Sequence, residues 1–430
     1  MGYVGWIGNF EGKTGTGKER NYESEIVKQL RNMGATLYCK TSVPHTLMCG
    51  ETVNNIIGYT WNPKNRNLSS GGSSGGEGAL IGLRGSCAGF GTDIGKTLRT
   101  LKKLMPSFQR SRSLIRPPGG SIRIPAAFNG LYGLRPSVGR LPYEGMANSF
   151  DGQGSMLSVV GPLATTPDSL KLLTKALLST STWLHDPLVH EIPWRPTAEL
   201  AVSDHHARTE APISFAVLTH DGSCAVHPPV ARALKLVVNT LRSRGHTVID
   251  WKPTPSHAHL AELAGKIYSF DGGADSRHHF GLSGEEPAPQ LISPESPEYS
   301  ATDIMAVNIA KRQAQKDYLE YWNSTAELTG TGRPVDAIIS PLAPFAAARP
   351  EKYTYLTYSS FVNLLDYTSV VVPVTQVDKI VDKKDENFKA VDEVDQETQD
   401  TCKFSVHKWS WCTKKLTIVQ TTLRSTMART

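Results

Sequence analysis

Apolar residues at Ile26, Leu30 and Met33 recur at helical spacing in an otherwise polar stretch, which predicts a helix over residues 22–33 ended by Gly34. The short apolar segment 35–39 then reads as a buried strand. A small-residue helix is expected over 78–83, and a strand or loop over 87–90. Residues 167–178 read as a helix with Thr166 as N-cap and Pro167 at its first position. Further along, 213–218 and 247–251 have strand character. Between them lies a helix over 230–241, its end marked by Gly245. A long polar-faced helix is predicted over 302–328. The segment 335–340, a helix over 355–367 and the run 369–374 complete the pattern. Strands alternating with helices predict an α/β fold.

Size and composition add boundaries. The 430 residues suffice for a large core, and 39% of them are hydrophobic. No run reaches the roughly 18 apolar residues of a membrane span. No basic n-region opens the chain, so neither a signal peptide nor an integral membrane segment is expected, and a cytoplasmic location is the working expectation. Six cysteines lie scattered without a CxxC pair, which argues for free thiols rather than a zinc site or disulfide framework.

The formal charge of +6 comes from one segment. Residues 96–119 hold seven Lys and Arg side chains and no acid, and without those seven the balance falls to −1. A basic arm on nucleic acid is one reading, but no aromatic platform accompanies it, and no nucleic-acid partner is expected. Gly95-Lys96-Thr97 ends like a phosphate-binding loop, yet that pattern needs glycine where Phe90 stands. Gly12-Lys13-Thr14 fails likewise at Ile7, and Gly17-Lys18 is followed by Glu19.

Candidate chemistry concentrates in Ser69-Ser70-Gly71-Gly72-Ser73-Ser74-Gly75-Gly76-Glu77-Gly78, where glycines bracket an adjacent serine pair. Glycine permits positive φ and close backbone approach, so a serine held there is presented. A flexible linker is the alternative for such a run, but ordered apolar segments abut it here. Gly91-Thr92-Asp93-Ile94-Gly95 and Gly120-Ser121-Ile122-Arg123-Ile124-Pro125 read as two halves of one motif split by the basic segment. Together with Lys40-Thr41-Ser42-Val43-Pro44 and Gly130-Leu131-Tyr132-Gly133-Leu134-Arg135-Pro136, these motifs resemble the amidase signature family, nearest its fungal acetamidase and fatty acid amide hydrolase branch.

The resemblance implies one α/β domain with a mixed central sheet flanked by helices. It implies hydrolysis of a monocarboxylic or fatty acid amide by a Ser–Ser–Lys arrangement, without metal or cofactor, on a small-molecule amide substrate. A homodimer is left open. Ser121 corresponds to the acylating serine, and Ser73 to a bridging serine on a non-proline cis peptide. Ile94, Gly95, Gly120 and Ser121 itself correspond to the oxyanion turn, and Leu47 to a position whose carbonyl faces substrate. Ser74, Asp93 and Arg123 are expected to support the turn.

Three departures bear on activity. The lysine base of relatives precedes the residues matching Met1-Gly2-Tyr3, so the chain as written is expected to be weakly active or inactive. Lys40 is a tempting substitute but reads better as a structural lysine at a strand end. Residues 96–119 interrupt the oxyanion motif as an exposed basic insertion. Beyond 376 the expected amidase domain (1–376) gives way to a divergent tail, 377–430, open to disorder. A non-catalytic homologue or defective product that at most binds amide-like ligands is therefore the alternative. His45, His220, His257, His259, His278 and His279 show no metal-site spacing. Pro253 and Pro255 suggest a loop at His257 and His259, and His278-His279 read as part of a polar loop.

Overall fold

In the computed structural model, the described residues are 23–94, 119–146, 148–200, 212–284, 286, 296–353, 355–401 and 419–423. The first elements are α1 (Glu25–Asn32) and a 3₁₀ turn (His45–Leu47). Four short strands follow, β1 (Val53–Asn54), β2 (Gly58–Tyr59), β3 (Trp61–Asn62) and β4 (Asn65–Ser69), which pair as two small hairpins. Next come α2 (Gly75–Gly82), β5 (Ala88–Asp93), α3 (Arg123–Asn129), β6 (Tyr132–Arg135), β7 (Val159–Ala164) and α4 (Pro167–Leu178). The chain continues through β8 (Ser214–Val217), α5 (Pro228–Ser243), β9 (Thr247–Asp250), α6 (His257–Ile267), α7 (Ala274–Ser283), α8 (Ala301–Ser324) and α9 (Ala326–Thr329). It closes with β10 (Ala337–Ser340), α10 (Thr357–Leu365), β11 (Thr368–Val372), α11 (Glu393–Asp400) and β12 (Val419–Leu423).

Eight strands form one mixed sheet in the order β5-β7-β6-β11-β12-β10-β8-β9. The β8–β9 and β8–β10 pairs are parallel, and the others are antiparallel. This is the α/β architecture expected from the alternation, with the mixed sheet that the resemblance implied. Local chemistry explains several boundaries. Thr166 caps α4 by accepting from Ser169 N at 3.2 Å, with Pro167 at the first helical position. Ser300 and Asp303 form a reciprocal capping box at the start of α8.

Some expectations need correction. Residues 35–39 are not a strand, because no neighbouring strand among the described residues pairs with them. His257 is not in a loop. The prolines stop short of it, and Ser256 caps α6 by accepting from His259 N at 3.3 Å. His278 and His279 lie on α7 rather than in a polar loop. Beyond residue 376, Asp382 pairs with Arg232 of α5 at 2.7 Å, and Gln399 of α11 donates to the Ala225 carbonyl at 2.7 Å. β12 lies inside the large sheet between β10 and β11.

One core cluster joins α6, α8 and α10 through Leu260, Tyr318, Trp322 and Phe361, with Trp251 packed beside them. His257 lies within it, its ring stacked on Phe361 at 4.0 Å between centroids. Its Nε2 pairs with the Tyr318 hydroxyl at 3.0 Å, and its buried Nδ1 has no partner among the described residues. Burial pushes the imidazole down to about 3, so it is neutral in the folded chain. Its folded pKa lies below the ordinary value of about 6.5, so its contribution is complete above that value and declines as pH falls. Between pH 7 and pH 5 this one group is expected to cost about 2 kcal/mol of stability. Urea unfolding of His257→Gln at both pH values checks this. The variant should lose about that much of the acid sensitivity, and an unchanged pH slope contradicts the assignment.

Candidate active site

The Gly/Ser run is a packed turn between β4 and α2, not a linker. Ser69, Ser70 and Ser74 are wholly buried and Ser73 nearly so. Gly71, at φ +80°, donates its N–H to Ser69 Oγ at 2.9 Å, and the Ser70 hydroxyl donates to the Gly75 carbonyl at 2.8 Å. Asn129 of α3 reaches the Ser70 carbonyl at 2.9 Å and the Pro125 carbonyl at 2.8 Å, tying the turn to α3. At Gly72 a Cβ would lie 2.4 Å from the Cys49 carbonyl, and at Gly76 one would lie 2.2 Å from Ser42 N. These backbone approaches are why glycine occupies both positions. The Gly72–Ser73 peptide is cis.

This turn meets the second motif directly. Ser74 N donates to the Ser121 carbonyl at 3.1 Å, so Ser73 and Ser121 are brought into one buried corner. The Ser74 hydroxyl also accepts from Thr92 N at 3.3 Å, linking the corner to β5. Ser121 stands at the entry to α3, and its hydroxyl donates to the Ile94 carbonyl at 3.2 Å. Gly120 precedes it at φ +114°, where a side chain would be strained. Ile94 is buried beside Met48 and Phe150. Gly95 and residues 96–118 lie outside the described residues, so the structure does not describe that member of the expected turn. The ends of the interruption nonetheless meet, because Gly120 N donates to Asp93 Oδ1 at 2.9 Å.

Asp93 is the centre of the support. Its Oδ2 accepts from Arg123 Nε at 2.9 Å, and both side chains are fully buried. Burial alone would raise the Asp93 carboxyl. The Arg123 and Arg135 guanidiniums and the hydrogen bonds it accepts outweigh that, and they hold it below the usual carboxylate range. Arg123 also donates to the Ser359 carbonyl at 3.1 Å and to Asn363 Oδ1 at 2.6 Å, both on α10. Sequence reading missed Ser359 and Asn363. The available signal was the polar set Thr357, Ser359, Ser360 and Asn363 in a wholly buried helix.

Leu47 is half-buried at φ +61°, following Thr46 at φ +53°. Ser149 donates its hydroxyl to the Thr46 carbonyl, steadying this unusual pair. Lys40 lies elsewhere. It lines a cavity of about 150 Å³ bounded by α1, residues 36–41, α2 and β5. Its ammonium donates to the Thr41 carbonyl at 3.3 Å, and burial lowers its pKa against the opposing charge of Glu77. Neither Ser73 nor Ser121 lines that cavity. Among the described residues no group of three or more His, Cys, Asp or Glu is placed to hold a metal ion. No described helix is long and apolar enough to cross a membrane.

The family model described as Amidase matches residues 13–100 and 118–393. It skips 101–117 inside the basic interruption and runs past residue 376. The acetamidase of Emericella nidulans is 41% identical over 403 residues, covering 93% of this chain and 67% of that protein. The acetamidase of Aspergillus oryzae is 42% identical over 399 residues, covering 92% of this chain and 66% of that protein. A solved structure of fatty acid amide hydrolase superposes with a TM-score of 0.78 at 28% identity, covering 95% of this chain and 66% of that one. The chain thus spans about two thirds of the length of these relatives. With a family match over most of its length and acetamidase relatives above 40% identity, the chain belongs to the amidase family.

Proposed function

We propose that the chain carries the acyl-transfer centre of an amide hydrolase. Its substrate class is a monocarboxylic or fatty acid amide, and its domain is a single amidase domain interrupted at 96–119. The observation that carries this reading is the 3.1 Å bond from Ser74 N to the Ser121 carbonyl, which joins the serine pair to the second motif in one buried corner. The relatives, an acetamidase and a fatty acid amide hydrolase, set the two ends of the substrate range.

Ser121 Oγ adds to the amide carbonyl carbon while its proton passes to the Ser73 hydroxyl, which hands its own proton to the base that the family resemblance implies, a lysine. The carbonyl oxygen takes the developing negative charge, which the backbone N–H groups of Ile94 and Ser121 would meet, since that of Gly120 is held by Asp93 Oδ1 at 2.9 Å. Collapse of the tetrahedral species breaks the C–N bond, and the departing nitrogen takes a proton back through Ser73. Water then attacks the acyl–Ser121 ester by the reverse proton route, releasing the acid. The residues described above supply the nucleophile, the relay and the turn.

A serine-directed fluorophosphonate tests the reading without a known substrate. One adduct is expected, on the peptide containing Ser121, and it should vanish in Ser121→Ala. A folded chain that takes no label at Ser121 favours the non-catalytic alternative.

A further inference from the structure

The turn carrying Ser121 is held from a helix more than two hundred residues away. Asn363 of α10 donates Nδ2–H to Asp93 Oδ1 at 2.8 Å and accepts from Arg123 Nη2 at its Oδ1, at 2.6 Å. Only one orientation of this amide satisfies both neighbours. Turned over, it would set its NH₂ against a guanidinium N–H and its oxygen against a carboxylate. Asp93 Oδ1 also receives Gly120 N–H at 2.9 Å, so one oxygen holds both α10 and the residue before Ser121. The fit at Gly119 is equally close, since a Cβ there would lie 2.5 Å from Asn363 Oδ1 and 3.0 Å from Ser360 Cα. Asp93, Arg123 and Asn363 are all buried.

We infer that Asn363 is a positioning residue for acyl transfer. It fixes the rotation of the Asp93 carboxylate so that Oδ1 anchors Gly120 N–H, and with it the turn that aims Ser121. The inference rests on the serine amide hydrolase reading for its chemistry, but not for its geometry. A leucine would withdraw a donor from a buried carboxylate. An aspartate would set a second carboxylate against Asp93 at hydrogen-bond distance, and two such groups cannot both ionise without repulsion. The charged and titratable groups facing this pair are Arg123 from α3, Arg135 from β6 with its partner Asp366, and Tyr353 preceding α10. Lys311 of α8 lies further out, beside Arg135 and Asp366.

The test compares the full chain with Asn363→Asp and Asn363→Ala by two readouts at pH 5 and pH 8. One is fluorophosphonate labelling at Ser121. The other is hydrogen–deuterium exchange, corrected for intrinsic rate, in the peptide covering 119–124, with peptides from β7 and β11 as internal reference. In Asn363→Asp the carboxylates share a proton at pH 5, and protection and labelling should stay within about threefold of the parent. At pH 8 both should fall about tenfold or more, the scale of losing a buried bond to a charged group, with β7 and β11 unchanged. Asn363→Ala should show the loss at both pH values.

Parent-like protection of 119–124 in both variants at pH 8 overturns the inference. So does a loss shared equally by β7 and β11, which makes Asn363 merely structural. A parent chain that takes no label, with the pH-dependent exchange still seen in Asn363→Asp, defeats the functional reading and leaves the positioning of the turn established.

Discussion

Asp93→Ala is expected to destabilise the chain by about 3–5 kcal/mol, the scale for removing one partner of a buried ion pair, and to silence Ser121. Asp93 and Arg123 are both without solvent exposure, and their 2.9 Å contact is the main compensation for burying either charge. Deleting the carboxylate leaves Arg123 charged among Ser359, Asn363 and the apolar face of α3. It also frees Gly120 N–H, which Asp93 holds at 2.9 Å. Stability and reactivity should therefore fall together. The variant Arg123→Met separates the two effects. It strands the Asp93 charge but leaves the bonds from Gly120 and Asn363 in place, so some labelling at Ser121 should survive. The double variant Asp93→Ala/Arg123→Met should be less destabilised than the sum of the two, because neither charge is then left alone. Urea unfolding with labelling on the same preparations checks all three. An Asp93→Ala chain that unfolds within 1 kcal/mol of the parent contradicts the ion pair as the main support.

The same network marks how far the sequence can be read. The split motif was legible because glycine, serine and arginine at fixed offsets state a turn, and the two halves do meet. So was α4, whose cap and first proline are local signals. The contacts of Asn363 were not legible, because they join residues separated by hundreds of positions and no periodicity records such a meeting. Its trace was only that polar side chains occurred in a wholly buried helix. The segment 35–39 failed as a strand for a related reason, since strand-like composition makes a strand only where an edge pairs with it. His257 failed because prolines at 253 and 255 outweighed the capping serine at 256, although a proline ahead of an N-cap does not prevent a helix. The place of β12 inside the sheet depends on partners, and Val419, Thr421 and Thr422 were its composition signal.

Ser121→Ala is expected to remove amide hydrolysis completely while leaving the fold almost untouched. Among the described residues its hydroxyl donates one hydrogen bond, to the Ile94 carbonyl at 3.2 Å, and losing such a bond costs about 1 kcal/mol. Chemically nothing replaces it, because an alanine forms no acyl ester. Ser73→Ala should act differently. It leaves the nucleophile in place and removes the hydroxyl proposed to carry its proton, an effect on the order of 10²–10⁴ in rate. Labelling at Ser121 should therefore slow rather than vanish. Ammonia release from a short aliphatic amide by parent and both variants, with unfolding midpoints alongside, reads the contrast. The rates are best taken both on the full chain and on a version with Gly95 joined to Gly120. The joined version should be the faster, with the same order of variants. Hydrolysis lost in Lys40→Met would return Lys40 as the base, despite its place in the cavity beside Glu77. Parent-like rates in Ser73→Ala would remove it from the proton route and leave Ser121 to be served by a group on another side.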